Sequence, residues 1–330
     1  MQLLVTGCAG FVGSCFCEYV LAHYPEVTVI GIDNLCTGFS QNIDRRIQAY
    51  ELDLVDHEAV IKVFEQHKID YIAHFAAFAA EGLSNFCRRH TYMQNIIAST
   101  NLINCAINFG IKRFLFTSSI ASYGELQPPF REDMIQNPCD IYGLSKFATE
   151  QDLKIANEHH GLEYVVLRPF NVYGPKQALN SRYRNVNGIF MNRLLCDSSL
   201  QIYGDGNQSR AFSYIDDLLP PFWKALTDGI CANQTYNVGA SKHYTVKELA
   251  NTLIRIAGKG HIEHLECRNE VKQAWCDVSK AQIELGLENK TDLESGLRKM
   301  WEWAQNQPCP PANVFDGIEV WKRMYSFWKD

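Results

Sequence analysis

The stretch "MQLLVTGCAGFVGSCFCEYVLAHYPEVTVIGIDN", residues 1–34, decides the fold. It opens with a short apolar run, Leu3 to Thr6, and turns at "GCAGFVG", residues 7–13. Val12, Cys15, Phe16, Tyr19 and Val20 then follow at the three-and-four spacing of a helix laid on a sheet. A second apolar run, Thr28 to Asp33, ends on an acid. Strand, glycine turn, helix and strand make a βαβ unit. Gly7, Gly10 and Gly13 let the turn close and let backbone N–H groups approach a pyrophosphate at the positive end of the helix. Three such glycines also occur in plain tight turns, so the acid carries the argument. A carboxylate at Asp33 accepts hydrogen bonds from an adenine ribose and repels a ribose 2'-phosphate, which predicts NAD rather than NADP.

Outward from this unit, Tyr71 to Ala76, Phe114 to Ser118 and Tyr164 to Arg168 read as further strands, with helix-length segments between them. The alternation predicts an α/β fold with a doubly wound parallel Rossmann sheet. After about Pro175 the pattern loosens into polar loops around Asn180 to Asn187 and Gly204 to Gln208. The expected organisation is an NAD-binding domain at 1–174 and a smaller, mixed α/β substrate-binding region at 175–330. "TYNVG", residues 235–239, is a candidate strand returning to the first sheet. No internal repeat is visible.

Composition narrows the function. Of 330 residues 46% are hydrophobic and 21% charged, with no long run of one charge, so the whole chain is expected to fold. A formal net charge of -6 argues against a surface built for nucleic acid or anionic lipid. The most apolar stretch, Tyr71 to Ala80, is too short to span a bilayer and contains His74. The first residues run straight into a strand without secretory features, which favours a cytoplasmic protein. Twelve cysteines lie scattered, and the nearest pair, Cys15 and Cys17, lacks metal-ligand spacing. They read as buried small hydrophobes in a reducing compartment, with no metal site.

Tyr142 and Lys146, four residues apart, share one helix face. Such pairs arise by accident in a chain with 15 Tyr, so their setting matters. Ser118 and Ser119 end a strand at the carboxyl edge of the sheet, where open α/β folds bind ligands. A tyrosine acting as base near neutral pH requires roughly 4 kcal/mol of help. A cation at about 4 Å with an effective dielectric near 20 supplies roughly that amount, and both Lys146 and an oxidised nicotinamide ring qualify.

The glycine spacing resembles the extended short-chain dehydrogenase/reductase family, and further matches follow in that family's order. They are "DNLCTG" from Asp33, "ELDLVD" around Asp53, "HFAA" from His74, "FTSSIASYG" from Phe116, "YGLSK" from Tyr142, "LRPFNVYGP" from Leu167 and "IYGDGNQSRAFSYIDDL" from Ile202. The resemblance implies cofactor contacts at Gly7, Gly10, Phe11, Val12, Gly13, Asp33, Asn34, Asp53, Leu54, Phe75, Ala76, Ala77, Asn95, Ser118, Tyr142, Lys146 and Phe170. By similarity to UDP-sugar 4-epimerases it implies Ser119, Tyr142 and Lys146 as catalytic residues. It implies a substrate grip by Ser119, Tyr142, Asn171, Asn187, Tyr203, Arg210, Arg268 and Glu270. The activity implied is interconversion of UDP-hexoses, UDP-glucose and UDP-galactose or their N-acetyl forms, through a 4-keto intermediate with tightly bound NAD. A homodimer through helices near Asn95 to Asn108 and Tyr142 to His159 is implied as well.

Departures from the pattern bear on this expectation. Related dehydratases and decarboxylases carry acids after the active hydroxyl, whereas Ile120 and Ala121 stand here, so elimination is disfavoured. Ala79 replaces a frequent lysine, and Cys267 occupies the usual arginine position beside Arg268. Ala274, three residues before Asp277, leaves room for an N-acetyl group or is a plain packing residue. Two alternatives remain: a nucleotide-sugar dehydratase or other lyase, and a non-catalytic NAD-binding scaffold.

Overall fold

The computed structural model describes residues 1–183, 185–267, 271–307, 314–325 and 328. Strands β1 (Gln2–Thr6), β2 (Thr28–Asp33), β3 (Gln48–Glu51), β4 (Tyr71–His74), β5 (Arg113–Thr117) and β6 (Tyr164–Pro169) form one parallel sheet together with Gln234–Val238. The order is Gln234–Val238, β6, β5, β4, β1, β2, β3. Strand β1 pairs on one side with β2, Leu4 opposite Ile30, and on the other with β4, Val5 opposite Ala73. The winding reverses there, so the crevice for a ligand opens beyond the carboxyl ends of β1 and β4.

Alternation along the strands feeds two apolar layers. Leu3, Val5 and Val29 pack with Phe16, Val20, Leu218 and Phe222 on one face, while Leu4, Ile30 and Ile32 pack with Val60, Phe64, Leu102 and Leu153 on the other. Each such side chain, fully buried, contributes about 1.5–3 kcal/mol. Helix α1 (Phe11–His23) buries Cys15, Phe16 and Val20, with Val12 and Tyr19 half-buried beside them. Helix Ile215–Thr227 lies on the same face, so the first core draws on residues far along the chain.

Strands β1, β5 and β6 differ from the sequence reading by one residue at one or both ends, and β4 and β3 differ more. Strand β4 stops at His74, because Phe75 onward bends into the cleft wall after its N–H reaches Thr6 O (3.2 Å). Strand β3, unanticipated, is a mostly exposed edge with no apolar alternation to betray it. The cysteines divide: Cys8, Cys15, Cys17, Cys87, Cys105, Cys231 and Cys276 are buried, but Cys36, Cys139 and Cys267 are exposed.

The smaller region packs helices Val186–Leu195, Val246–Ala257 and Leu293–Ala304 around Leu249, Leu253, Leu297 and Trp301. Thr245 and Glu248 form a capping box on the second of these. Short strands complete it: Leu200–Tyr203 pairs with Ile262–Leu265, and Ser209–Arg210 lies between Tyr244–Thr245 and Gln273–Ala274. Beyond Ala304 the described chain returns to the large sheet, where Met324 and Trp328 bury themselves against Phe78, Leu83 and Cys87. Among the described residues no helix is long and apolar enough to cross a membrane.

Candidate active site

One cleft of about 1010 Å³ runs along the carboxyl edge of the sheet and gathers most of the expected residues. At its dinucleotide end are Gly7, Gly10, Phe11, Val12, Gly13, Asp33, Asn34, Leu54, Phe75, Ala76 and Ala77. The glycines there have separate duties. Gly7 has φ +73°, and a Cβ on it would lie 2.8 Å from Ala76 N. A Cβ on Gly13 would lie 2.1 Å from Gly7 O, so only glycine lets α1 seat on the loop. Asp33 accepts from Ala9 N–H (2.9 Å) and Leu35 N–H (2.8 Å), fixing the loop around the acid.

Asp53 stands behind this wall. Its carboxylate accepts from Val55 N–H (2.9 Å), Gln94 Nε2 (3.0 Å) and Asn34 Nδ2 (3.2 Å). Burial raises its pKa, but these hydrogen bonds outweigh burial and hold it below the ordinary value. Gln94 itself lines the cleft, a residue the sequence reading missed for want of any motif. Asn95 is likewise set back: its amide accepts from Phe78 N–H (2.8 Å) and donates to Ser145 Oγ (2.9 Å), which fixes the cleft wall from behind.

Ser118, Ser119, Tyr142, Lys146 and Phe170 line the middle. Tyr142 and Lys146 sit on the helix Ile141–His160, started by Asp140, which accepts from Gly143 N–H (2.7 Å). Ser84 Oγ accepts from Tyr142 N–H (3.0 Å). Lys146 Nζ, almost wholly buried, donates to Thr117 O at the end of β5 (2.7 Å) and lies 5.8 Å from the centre of the Tyr142 ring. Burial lowers its pKa to about 7, against the pull of Glu150 one turn on. Ser119 caps the turn Ile120–Tyr123, its Oγ accepting from Ala121 N–H (3.1 Å). A Cβ on Gly143 would stand 2.4 Å from Ala121 O, so this glycine lets the tyrosine helix close onto the serine turn.

Ser118 Oγ turns away from its neighbour and donates to Glu150 (2.5 Å). Glu150, fully buried, also accepts from Arg168 Nε (3.0 Å) and Gln136 Nε2 (3.1 Å). Arg168 donates to Tyr123 Oη (2.7 Å), whose hydroxyl donates to Asn237 (2.8 Å). Lys146 and Glu150 together therefore fasten the strand end at Thr117 and Ser118 to the helix. Glu150 was legible in principle, since it continues the Tyr142 and Lys146 face by one further turn.

The far end is formed by Asn171, Tyr203, Arg210 and Ala274, with Ala79 on the near wall. Arg210 donates to Val271 O (2.6 Å) and Ser209 O (2.9 Å), which orients its guanidinium on the cleft wall. Asn187 is fully buried just behind Asn185, Val186 and Ile189. Among the described residues, both atoms of its amide, Asn171 Nδ2 and Gln177 Oε1 are buried without a hydrogen-bond partner. Cys267 packs beside Gly204, 3.4 Å from where its Cβ would stand. Arg268 and Glu270 lie outside the described residues.

A glycine cradle and a Ser, Tyr and Lys set facing one another across a single cleft define a nucleotide-dependent enzyme. The family model described as the NAD dependent epimerase/dehydratase family matches residues 3–239. The chain belongs to that family, and NAD is its cofactor. The cradle fits such a group, because Gly7, Gly10 and Gly13 present bare backbone to the cleft at the start of α1. A UDP-glucose 4-epimerase of Lacticaseibacillus casei is 31% identical over 93% of this chain and 98% of its own. The Thermotoga maritima UDP-glucose 4-epimerase, solved with UDP-glucose, superimposes with a TM-score of 0.87 at 34% identity, covering 92% of this chain and 98% of that one. A UDP-glucuronic acid decarboxylase of Danio rerio is 29% identical over 94% of this chain and 74% of its own. Its relatives thus span more than one reaction on UDP-sugars.

Proposed function

We propose that this protein is a nucleotide-sugar 4-epimerase acting on UDP-hexoses, with UDP-glucose and UDP-galactose or their N-acetyl forms as substrates. The observation that carries this reading is Lys146, buried and tied to Thr117 O beneath the Tyr142 ring, at the end of the cleft that also holds Ser119. Tyr142 takes the proton of the sugar 4-hydroxyl, and Ser119 Oγ hydrogen-bonds the same oxygen. Lys146 keeps positive charge near the phenolate. NAD, when bound, supplies the acceptor of the hydride and later its donor. Ile120 and Ala121 offer no second acid, so the path back to a hydroxyl on the other face is favoured over loss of water or carbon dioxide.

Turning the sugar between the two half-steps requires that the nucleotide stay held. Asn171, Tyr203 and Arg210 are the residues for that grip, a guanidinium suiting paired phosphate oxygens. Ala274, small and facing the cleft, leaves room for an N-acetyl substituent. Exposed Ile97, Phe109, Leu144 and Ile155 on and beside the helices Ala98–Asn108 and Ile141–His160 support a homodimer through those helices.

Incubation with a panel of sugar nucleotides, without added cofactor, should yield one interconverting pair of stereoisomers. A deoxy-keto product would instead favour the lyase reading, and no turnover the scaffold. Tyr142→Phe should lower turnover by about 10²–10⁴-fold while retaining NAD. A fully active Tyr142→Phe enzyme removes the tyrosine from this role.

A further inference from the structure

Described residues beyond the helix Leu293–Ala304 supply part of the cleft, and the sequence reading named no site residue among them.

The anchoring of this stretch is specific. Glu319 accepts from Arg89 N–H (2.7 Å) and His90 N–H (2.8 Å), and the N–H groups of Glu319 and Val320 both donate to Phe86 O (2.8 and 3.0 Å). Met324 and Trp328 are buried against Phe78, Ala80, Leu83 and Cys87. A Cβ on Gly82 would lie 3.1 Å from the Trp328 ring. The platform they press upon holds the tyrosine helix, because Ser84 Oγ and Asn85 Oδ1 accept from Tyr142 N–H (3.0 Å) and Ile141 N–H (3.3 Å). The strap therefore packs on the segment that supports the Tyr142 stretch of the cleft wall.

Between these anchors Arg323, Tyr325 and Trp328 line the cleft itself. Arg323 is exposed and sits in a turn at φ +60°. Among the described residues its guanidinium has no ion-pair or hydrogen-bond partner. Arg210 stands elsewhere on the cleft, so Arg323 is the cation that the strap itself brings to it. Guanidinium pairs with a planar carboxylate through two parallel hydrogen bonds and discriminates weakly among neutral hydroxyls.

We propose that this C-terminal strap is part of the substrate site and that Arg323 is its specificity-determining residue, favouring sugar nucleotides whose sugar carries a carboxylate. The proposal rests on the nucleotide-sugar reading and goes beyond it in the sugar, a hexuronate in place of the neutral hexoses. The full-length, NAD-loaded protein, wild type and Arg323→Gln, would be titrated calorimetrically with UDP-glucuronate, UDP-glucose and UDP. Arg323→Gln should weaken UDP-glucuronate about tenfold and leave UDP-glucose and UDP within about twofold. Equal weakening of all three, or no change in any, overturns the assignment. Trp328→Ala, which loosens the strap without touching the cation, should weaken both sugar nucleotides more than UDP; a variant binding all three like wild type refutes a strap in the site. Failure of the epimerase reading would appear separately, as absence of stereoisomer exchange by the wild type while these binding differences persist.

Discussion

The two ends of the cleft are built on opposite terms. At the dinucleotide end the protein satisfies its own polar groups: Asp33 on two backbone N–H groups, Asp53 on three donors, and Asn95 on Phe78 and Ser145. At the far end Asn171 and Gln177 of the wall, and Asn187 behind it, keep buried polar atoms that find no partner among the described residues. Leaving such an atom unpaired costs about 1–3 kcal/mol. One end is a finished mould whose shape selects its ligand, whereas the other carries unsatisfied groups that a polar ligand would complete.

The comparison breaks most visibly at Gly13. Its Cβ position, 2.1 Å from a backbone oxygen, has no flexible neighbour to give way. Gly13→Ala should move α1 off the loop at a cost of about 3 kcal/mol, and NAD affinity should fall by about a hundredfold. Measuring cofactor released on denaturing the purified variant, beside its melting temperature, checks this. A variant that keeps its full complement of NAD would mean that the mould is not set by this contact.

His74, at the floor of the same end, sharpens the contrast through pH. It is buried between Thr6 Oγ1 (2.6 Å) and Ser99 Oγ (2.9 Å), and burial, helped by the charge of Lys146, lowers its pKa to about 3. The unfolded chain binds a proton there below about 6.5, and the folded chain does not until about 3. The stability that depends on neutral His74 is thus complete above 6.5 and is lost as pH falls from 6.5 toward 3, by up to about 1.4 kcal/mol per pH unit. Urea unfolding at several pH values should show a slope for the wild type steeper than that of His74→Gln by about one proton. Parallel slopes would mean that His74 is protonated in the folded protein.

How far the sequence foretold each end follows from the same difference. The shape of the glycine-loop end was legible because it depends on local spacing: glycines three residues apart, then an acid at the end of the next strand. Tyr142 and Lys146 were legible for a like reason, one helical turn. What sequence missed is held by contacts between distant segments. Gln94 reaches Asp53, Glu150 gathers Ser118 and Arg168, and Glu319 caps a helix that begins at Arg88. Asp53, Asn95 and Asn187 fell on the right neighbourhood but one layer behind the wall, since spacing fixes which element a residue is on and packing fixes its depth.

The finest test lies at Asn187, because there the two terms oppose each other within one side chain. Its amide is fully buried in the second position of the helix Val186–Leu195, and among the described residues neither its oxygen nor its nitrogen finds a partner. Replacing it by leucine, of similar size, removes an unsatisfied group and adds apolar contact with the core around Phe190 and Leu194. Asn187→Leu should therefore stabilise the ligand-free protein by about 1 kcal/mol, a rise of a few degrees in melting temperature. The same change should leave UDP-sugar binding within about twofold, because the side chain lies one layer behind the cleft wall and touches no ligand. Stability would then move while binding does not. If the variant instead melts lower, the amide is already satisfied inside the protein and the far end is as finished as the near one.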